Sequence, residues 1–163
     1  MAKNKEEKTN VMRVLEQKKI AYTPHSYPHE EGVAVDGVTV AKSMGFDPAI
    51  VFKTLVARGA SKQYYVFDVP VAENLDLKKA AKAVGEKSIE MIHQKELLPL
   101  TGYVHGGCSP VGMKKLFPTV IDASAENLET MIVSAGKIGY QVELAPHDLA
   151  ALVRAKFADI IVE

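Results

Sequence analysis

Cysteine, net charge and long apolar runs are all scarce in this sequence. A single cysteine among 163 residues excludes an internal disulfide. No apolar run approaches the roughly 20 residues that cross a bilayer, so we predict no membrane-spanning helix. The hydrophilic, charged start also lacks the apolar core of a secretory signal. Together these absences favour a soluble, cytoplasmic protein.

The lack of net charge limits the nucleic-acid partners that the protein can hold. Lys and Arg number 20, and Asp and Glu also number 20. Non-specific affinity for a duplex comes chiefly from neutralised phosphates, so a neutral protein is a poor binder of long DNA. A local cluster of lysines can still hold one phosphate group. We therefore predict no DNA partner.

What is present is typical of one globular domain, which we predict over residues 1–163 with a flexible start at 1–8. Apolar residues make up 47% and charged residues 25%, without a repeat, linker or low-complexity segment. Apolar periodicity predicts helices at about 10–19, from Asp36 or Thr39 to 44, and at 77–84, 94–98 and 146–154. It predicts strands at about 20–27, 50–58, 63–70, 88–92, 119–121, 130–134, 140–144 and 157–162. We expect an α/β domain of about seven mostly antiparallel strands.

A glycine-rich loop, residues 101–115 (TGYVHGGCSPVGMKK), is the most distinctive stretch. Glycine lets a ligand approach the backbone closely, and Pro110 stiffens the loop. Lys114 and Lys115 add two positive charges at its exit. Exposed backbone N–H groups beside cations form a plausible anion or oxyanion site. The alternative is an ordinary surface loop with two solvated lysines.

Lys53 is the one charged residue among the first seven residues, IVFKTLV, of the apolar strand at 50–58. A lysine in such a strand either extends its ammonium to solvent or points into a polar cavity. Both alternatives are open at the level of sequence.

Two other groupings of chemically active side chains are alternatives to a lysine-based site. His25 and His29 have metal-ligand spacing on a helix, but Pro24 and Pro28 disfavour a helix, and no carboxylate or thiol cluster completes a metal site. Cys108, the only thiol, follows a histidine by three residues and suggests a nucleophile pair. Spacing along a loop, however, says little about contact in space.

Two stretches together resemble a known family. VFKTLV around Lys53, followed about fifty residues later by TGYxxGGxSPxGxKK, is similar to the YbaK/EbsC family of aminoacyl-tRNA deacylases. These proteins are free-standing relatives of the editing domain inserted in bacterial prolyl-tRNA synthetase. The N-terminal helix, the HxYxH pattern at 25–29, DLKKAAKAVG and VSAGKIGYQVEL also fit the family.

The resemblance implies a mixed, partly closed β-barrel flanked by helices, with no metal or other cofactor. It implies hydrolysis of Cys-tRNA(Pro) and of Cys-tRNA(Cys). Lys53 matches the key lysine of the family, and Gly106 matches the loop glycine whose backbone holds the substrate. Where relatives often have an aliphatic residue this chain has Cys108, which weakens the case for a cysteine nucleophile. The other implied substrate-binding residues are Tyr27, Thr54, Gly102, Gly107, Ser109, Ser134 and Gln141, the last standing where some relatives have Asp.

The family is thought to use the thiol of the substrate cysteine to attack its own ester, with release of the tRNA. The enzyme then needs only to orient the aminoacyl-tRNA 3′ end and stabilise developing charge. Because few lysines flank the site, we predict that prolyl-tRNA synthetase selects the tRNA in a transient ternary complex. Two alternatives remain: a non-catalytic module that binds the tRNA 3′ end or a synthetase, and a deacylase for another small amino acid.

Overall fold

The computed structural model describes residues 8–30 and 33–163 of the chain. Of the predicted flexible start at 1–8, only Lys8 is described, and Gly32 of the loop before the second helix also lies outside the described residues. The described helices are α1 (Asn10–Gln17), α2 (Gly37–Ser43), α3 (Leu77–Val84), α4 (Gln94–Thr101) and α5 (Pro146–Val153). The described strands are β1 (Thr23–Ser26), β2 (Phe52–Gly59), β3 (Tyr64–Pro70), β4 (Ile89–Met91), β5 (Thr119–Asp122), β6 (Met131–Lys137), β7 (Tyr140–Leu144) and β8 (Lys156–Ala158).

The strands form two separate sheets. A three-stranded sheet has the order β1-β7-β6, and all of its pairs are antiparallel. A five-stranded sheet has the order β4-β2-β3-β5-β8, in which β2 pairs antiparallel with β3 and β4. Its other two pairs, β3 with β5 and β5 with β8, are parallel. β2 with β3 and β6 with β7 each form an antiparallel hairpin.

The expected partly closed barrel of about seven strands is wrong. Within the described residues the eight strands form two open sheets, and neither is closed into a barrel. β2 pairs with β3 over residues 52–58 and with β4 at residues 57–59. Between the two sheets, the pairing among the described residues is a single parallel bridge from Val51, just before β2, to Ile132 of β6. Closure requires strand pairs all the way round, and one bridge does not supply them.

The helix starts follow the expected capping chemistry. The hydroxyl of Thr9 accepts a hydrogen bond from the Met12 N–H at 3.2 Å, at the start of α1. The carboxylates of Asp36 and Asp76 accept backbone N–H groups in the first turns of α2 and α3. Side-chain acceptors satisfy donors that a helix start leaves without partners. The cap of Asp36 fixes the loop that reaches the site described below.

The two faces of β2 contact different parts of the fold. Leu55 and Ala57 pack with α3 residues in one apolar cluster. Val56, on the opposite face, packs with Cys108 and Phe117 from the connection between α4 and β5. Thr54 lies on this second face because side chains alternate along a strand. No helix within the described residues has the length and apolar character needed to cross a membrane.

Candidate active site

A cavity of about 530 Å³ opens where the two sheets meet. Its lining comes from the segment before α2 and part of α2, from the start of β2, from the residue after β3, from the glycine-rich loop, and from the β6–β7 hairpin with the residue after β1. Six of the nine residues predicted for the site contribute to this lining, and they are Tyr27, Lys53, Thr54, Gly106, Ser134 and Gln141. The tertiary structure thus brings the two resembling stretches to one cavity.

Lys53 lies in the cavity wall and is half-buried. Burial lowers the pKa of its ammonium, while the carboxylates of Asp36 and Glu73 partly oppose that shift. Among the described residues, no carboxylate oxygen lies within 4.0 Å of the Lys53 ammonium. Lys53 thus lines a cavity, and its ammonium has no carboxylate partner in the described part of the chain.

Gly106 brings bare backbone to the cavity. Its φ angle is +90°, a conformation that side-chain-bearing residues rarely adopt. A Cβ atom at this position would lie 2.6 Å from the Cβ of Ala34 and 3.5 Å from Cγ1 of Ile138. The loop approaches the segment before α2 this closely only because residue 106 has no side chain.

Thr54 is hydrogen-bonded to Asp68, a residue that the sequence pattern did not indicate as part of the site. Its hydroxyl donates a 2.5 Å hydrogen bond to Oδ1 of Asp68, the cross-strand neighbour on β3. Asp68 is 0% exposed, and its Oδ2 has no hydrogen-bond partner among the described residues. Burial raises the pKa of Asp68 from an ordinary 3.8 to about 7, and the Thr54 hydrogen bond partly opposes the rise. A carboxylate inside the apolar strand YYVFDVP was the available sequence signal, of the same kind that drew attention to Lys53.

Gln141 and Ser134 face each other across the β6–β7 hairpin. Gln141 is buried, and its Oε1 lacks a partner among the described residues. The hydroxyl of Ser134 accepts a 3.1 Å hydrogen bond from the Gly136 N–H. Since Gln141 lines the cavity, a ligand that donates a hydrogen bond satisfies this buried acceptor.

Cys108 and His105 both line the cavity, yet no described hydrogen bond joins them. Burial raises the pKa of the Cys108 thiol to about 12, and the nearby Asp68 carboxyl adds to the rise. A nucleophilic cysteine requires the thiolate. At neutral pH Cys108 is a thiol, so the Cys–His nucleophile pair is disfavoured.

Three predicted substrate-binding residues lie outside the cavity lining. Gly102 ends α4 in a left-handed conformation. Gly107 is buried, and a Cβ there would lie 3.0 Å from the backbone nitrogen of Ile138. The buried hydroxyl of Ser109 accepts a hydrogen bond from the Val111 N–H. These residues shape the glycine-rich loop, and their contact with substrate stays a prediction.

The remaining candidates have partners in the protein. Lys114 donates to the Pro99 carbonyl at 3.4 Å, and the Lys115 ammonium lies 6.0 Å from the centre of the Phe117 ring. His25 pairs with Glu143 at 2.8 Å, and Nδ1 of His29 lies 2.9 Å from the Tyr27 carbonyl oxygen. Within the described residues no three His, Cys, Asp or Glu side chains are grouped as metal ligands.

This cavity and these two sheets belong to an aminoacyl-tRNA editing domain. The family model of that name matches residues 32–152, and the chain belongs to this family. Within the family, the chain is 45% identical over 161 residues to EbsC of Enterococcus faecalis, covering 98% of each chain. That protein is assigned as a Cys-tRNA(Pro)/Cys-tRNA(Cys) deacylase. The resemblance to the YbaK/EbsC family is thereby confirmed.

Solved structures share the fold. A crystal structure of a protein assigned as a trans-editing enzyme for prolyl-tRNA synthetase is 25% identical, with a TM-score of 0.79. The match covers 94% of this chain and 95% of that one. The hypothetical protein APE2540 is 19% identical with a TM-score of 0.82, covering 93% of this chain and 99% of its own, and shows the fold alone.

Proposed function

We propose that this aminoacyl-tRNA deacylase removes cysteine from Cys-tRNA(Pro) and from Cys-tRNA(Cys). The observation that carries the proposal is the cavity in which Lys53, Gly106 and Gln141 converge. The 45% identity over nearly the whole chain to a relative assigned to these two substrates supports it. A cavity of about 530 Å³ is in the range that encloses a small ligand such as an aminoacyl group with part of a nucleotide.

The three residues offer complementary contacts to an aminoacyl ester. The Lys53 ammonium holds the ribose or the terminal phosphate of the tRNA. The Gly106 N–H donates to the carbonyl oxygen, where negative charge grows during attack. Oε1 of Gln141, which lacks a protein partner, accepts a hydrogen bond from the α-ammonium of the amino acid. Tyr27, Thr54 and Ser134 complete the walls.

The nucleophile in this proposal belongs to the substrate. The thiol of the bound cysteine loses its proton and its sulfur attacks the carbonyl carbon, forming a C–S bond. The C–O bond to the ribose then breaks, and the ribose oxygen takes up a proton. The products are tRNA with a free 3′ end and a cyclic thiolactone, which water opens to cysteine. The high pKa of the Cys108 thiol fits a site that relies on the substrate for its thiolate.

A panel of charged tRNAs tests the proposal. Purified protein should hydrolyse Cys-tRNA(Pro) rapidly and leave Ala-tRNA(Pro) and Ser-tRNA(Pro) nearly intact, because only cysteine carries the thiol. Efficient hydrolysis of Ala-tRNA(Pro) would show a deacylase for another amino acid. Binding of the tRNA without hydrolysis would show a non-catalytic module.

We also propose that prolyl-tRNA synthetase selects the tRNA in a transient ternary complex. The neutral net charge supports this, because a few phosphate contacts give weak, salt-sensitive binding. Deacylation of Cys-tRNA(Pro) and Cys-tRNA(Cys) should therefore be similar in the isolated protein, and added synthetase should favour Cys-tRNA(Pro). A strong preference for tRNA(Pro) that the synthetase does not change would contradict this partner.

A further inference from the structure

The Thr54–Asp68 pair is a connected polar group beside the substrate cavity. Thr54 lines the cavity, and its hydroxyl donates to Oδ1 of Asp68 at 2.5 Å. Asp68 itself is 0% exposed and does not line the cavity, and its hydrogen bond to Thr54 connects it to the lining. Because the two residues are directly opposite in the β2–β3 register, the backbone holds this contact in place.

The surroundings of Asp68 allow its carboxyl to be protonated or ionised near neutral pH. β2 contributes Thr54, β5 places Ile121 beside it in the parallel ladder, and the glycine-rich loop contributes the titratable Cys108. Among the described residues no Lys, Arg or His nitrogen lies within 4.0 Å of the carboxylate. Burial without a cation raises the pKa of Asp68 to about 7, so the carboxyl exchanges a proton near neutral pH.

We propose that Thr54 and Asp68 together accept the proton that the substrate thiol loses during deacylation. The inference rests on the proposed function. The thiol proton passes to Oγ1 of Thr54 as the hydroxyl proton of Thr54 passes to Oδ1 of Asp68. When the C–O bond breaks, the reverse transfer returns one proton to the ribose oxygen. The step is balanced, and it needs no group beyond the substrate and these two residues.

The pKa values of the substrate thiol and of Asp68 favour this assignment. A free cysteine thiol has a pKa of about 8.5, so few substrate molecules are thiolates at pH 7. A base is most effective when its own pKa lies near the working pH. Cys108 cannot serve as that base, because its thiol is still protonated at neutral pH. Asp68 therefore acts through Thr54 as a positioning residue that holds the proton, while Thr54 is the group in contact with substrate.

The pH profile of single-turnover deacylation of Cys-tRNA(Pro) tests the inference. The wild-type rate, corrected for spontaneous hydrolysis, should rise with pH and level off above about 7. In Asp68→Asn the substrate thiol must lose its proton to bulk water. The rate should therefore be lower by a factor on the order of 100 at pH 6.5 and keep rising to about 8.5, so that the gap narrows. A purely structural defect would instead lower the rate by a similar factor at every pH.

Matched variants test whether the levelling of the pH–rate profile near pH 7, its inflection, belongs to the Thr54–Asp68 pair. Thr54→Val should reproduce the profile of Asp68→Asn, and the double variant should be no slower than either single variant. Thr54→Ser retains a hydroxyl and should keep the wild-type inflection. Cys108→Ala should also keep the inflection, which excludes that thiol as its source.

The outcomes separate this inference from the proposed function. If the wild-type protein does not hydrolyse Cys-tRNA(Pro), the proposed function fails. If it does, and Asp68→Asn or Thr54→Val keeps the wild-type rate and inflection, only the proton acceptor is wrong. Should Asp68→Asn fail to fold, the comparison of Thr54→Val with Thr54→Ser decides the question, because both substitutions are at a half-buried residue and differ in the hydroxyl.

Discussion

Replacing Asp68 by Asn should change how the stability of the protein depends on pH. The native carboxyl is fully buried and binds its proton with a pKa of about 7, against an ordinary 3.8. Between these values the native state holds a proton that the unfolded chain releases. Wild-type stability should therefore fall as pH rises from about 4 to 7 and stay level above 7, as far as Asp68 contributes. Asn has nearly the same shape and does not titrate.

The size of the effect follows from the difference in pKa. A difference of about three pKa units corresponds to about 4 kcal/mol at 1.36 kcal/mol per unit. Because Asp68 is 0% exposed, solvent screening does not reduce this figure. For a chain of 163 residues, 4 kcal/mol corresponds to about 10 °C in melting temperature. The free energy of unfolding of wild type minus that of Asp68→Asn should therefore be about 4 kcal/mol smaller at pH 8 than at pH 4.

Chemical denaturation of both proteins from pH 4 to 8 measures this difference. Subtracting the two curves removes groups that both proteins share, such as Glu86 and Glu143, whose hydrogen bonds lower their pKa values. Parallel curves across this range would mean that Asp68 is already ionised at pH 4. Burial would then not raise the pKa of Asp68.

Three further predictions concern the cavity. Lys53→Ala should lower the deacylation rate by a factor on the order of 100 and leave the protein folded. Lys53→Arg should not restore the rate, because a planar guanidinium does not replace a compact ammonium. Initial rates measure both variants, with the exposed Lys82→Ala as control, and near-normal turnover by Lys53→Ala would contradict the assignment. Gly106→Ala should inactivate the enzyme, because its Cβ would lie 2.6 Å from Ala34 at a φ of +90°; the added substitution Ala34→Gly should restore part of the rate, and an active single variant would refute the tight approach. Cys108→Ala should keep most of the deacylation rate, because the buried thiol stays protonated at neutral pH; a folded but inactive variant would revive an enzyme thiol as nucleophile.

The sequence by itself determined most of the local structure and, through the family resemblance, six of the residues that line the cavity. Capping residues such as Thr9 and Asp76 mark helix starts, because their side chains bond to N–H groups a few positions along the chain. Lys53 stands out because a charge in an apolar strand needs a reason. Gly106 is recognised with it only through the resemblance of the two stretches to a known family.

Tertiary structure decided how these pieces meet. The chain pattern predicts strands but not which edges pair. The barrel was expected from the family resemblance, and two open sheets form instead. The cavity depends on the Val51–Ile132 bridge, which places the start of β2 beside the β6–β7 hairpin. Gly106 contacts Ala34, about seventy residues earlier in the chain, and such a contact leaves no local pattern in either segment.

Asp68 illustrates the same limit for chemistry. As one letter in a strand, it could face water, a cation or the interior. Asp68 is removed from water because β3 pairs between β2 and β5 in the sheet and the glycine-rich loop covers one face. Thr54 is then its hydrogen-bond partner. The pKa of a carboxyl depends on burial and on nearby charges, and both are properties of the folded surroundings rather than of the residue.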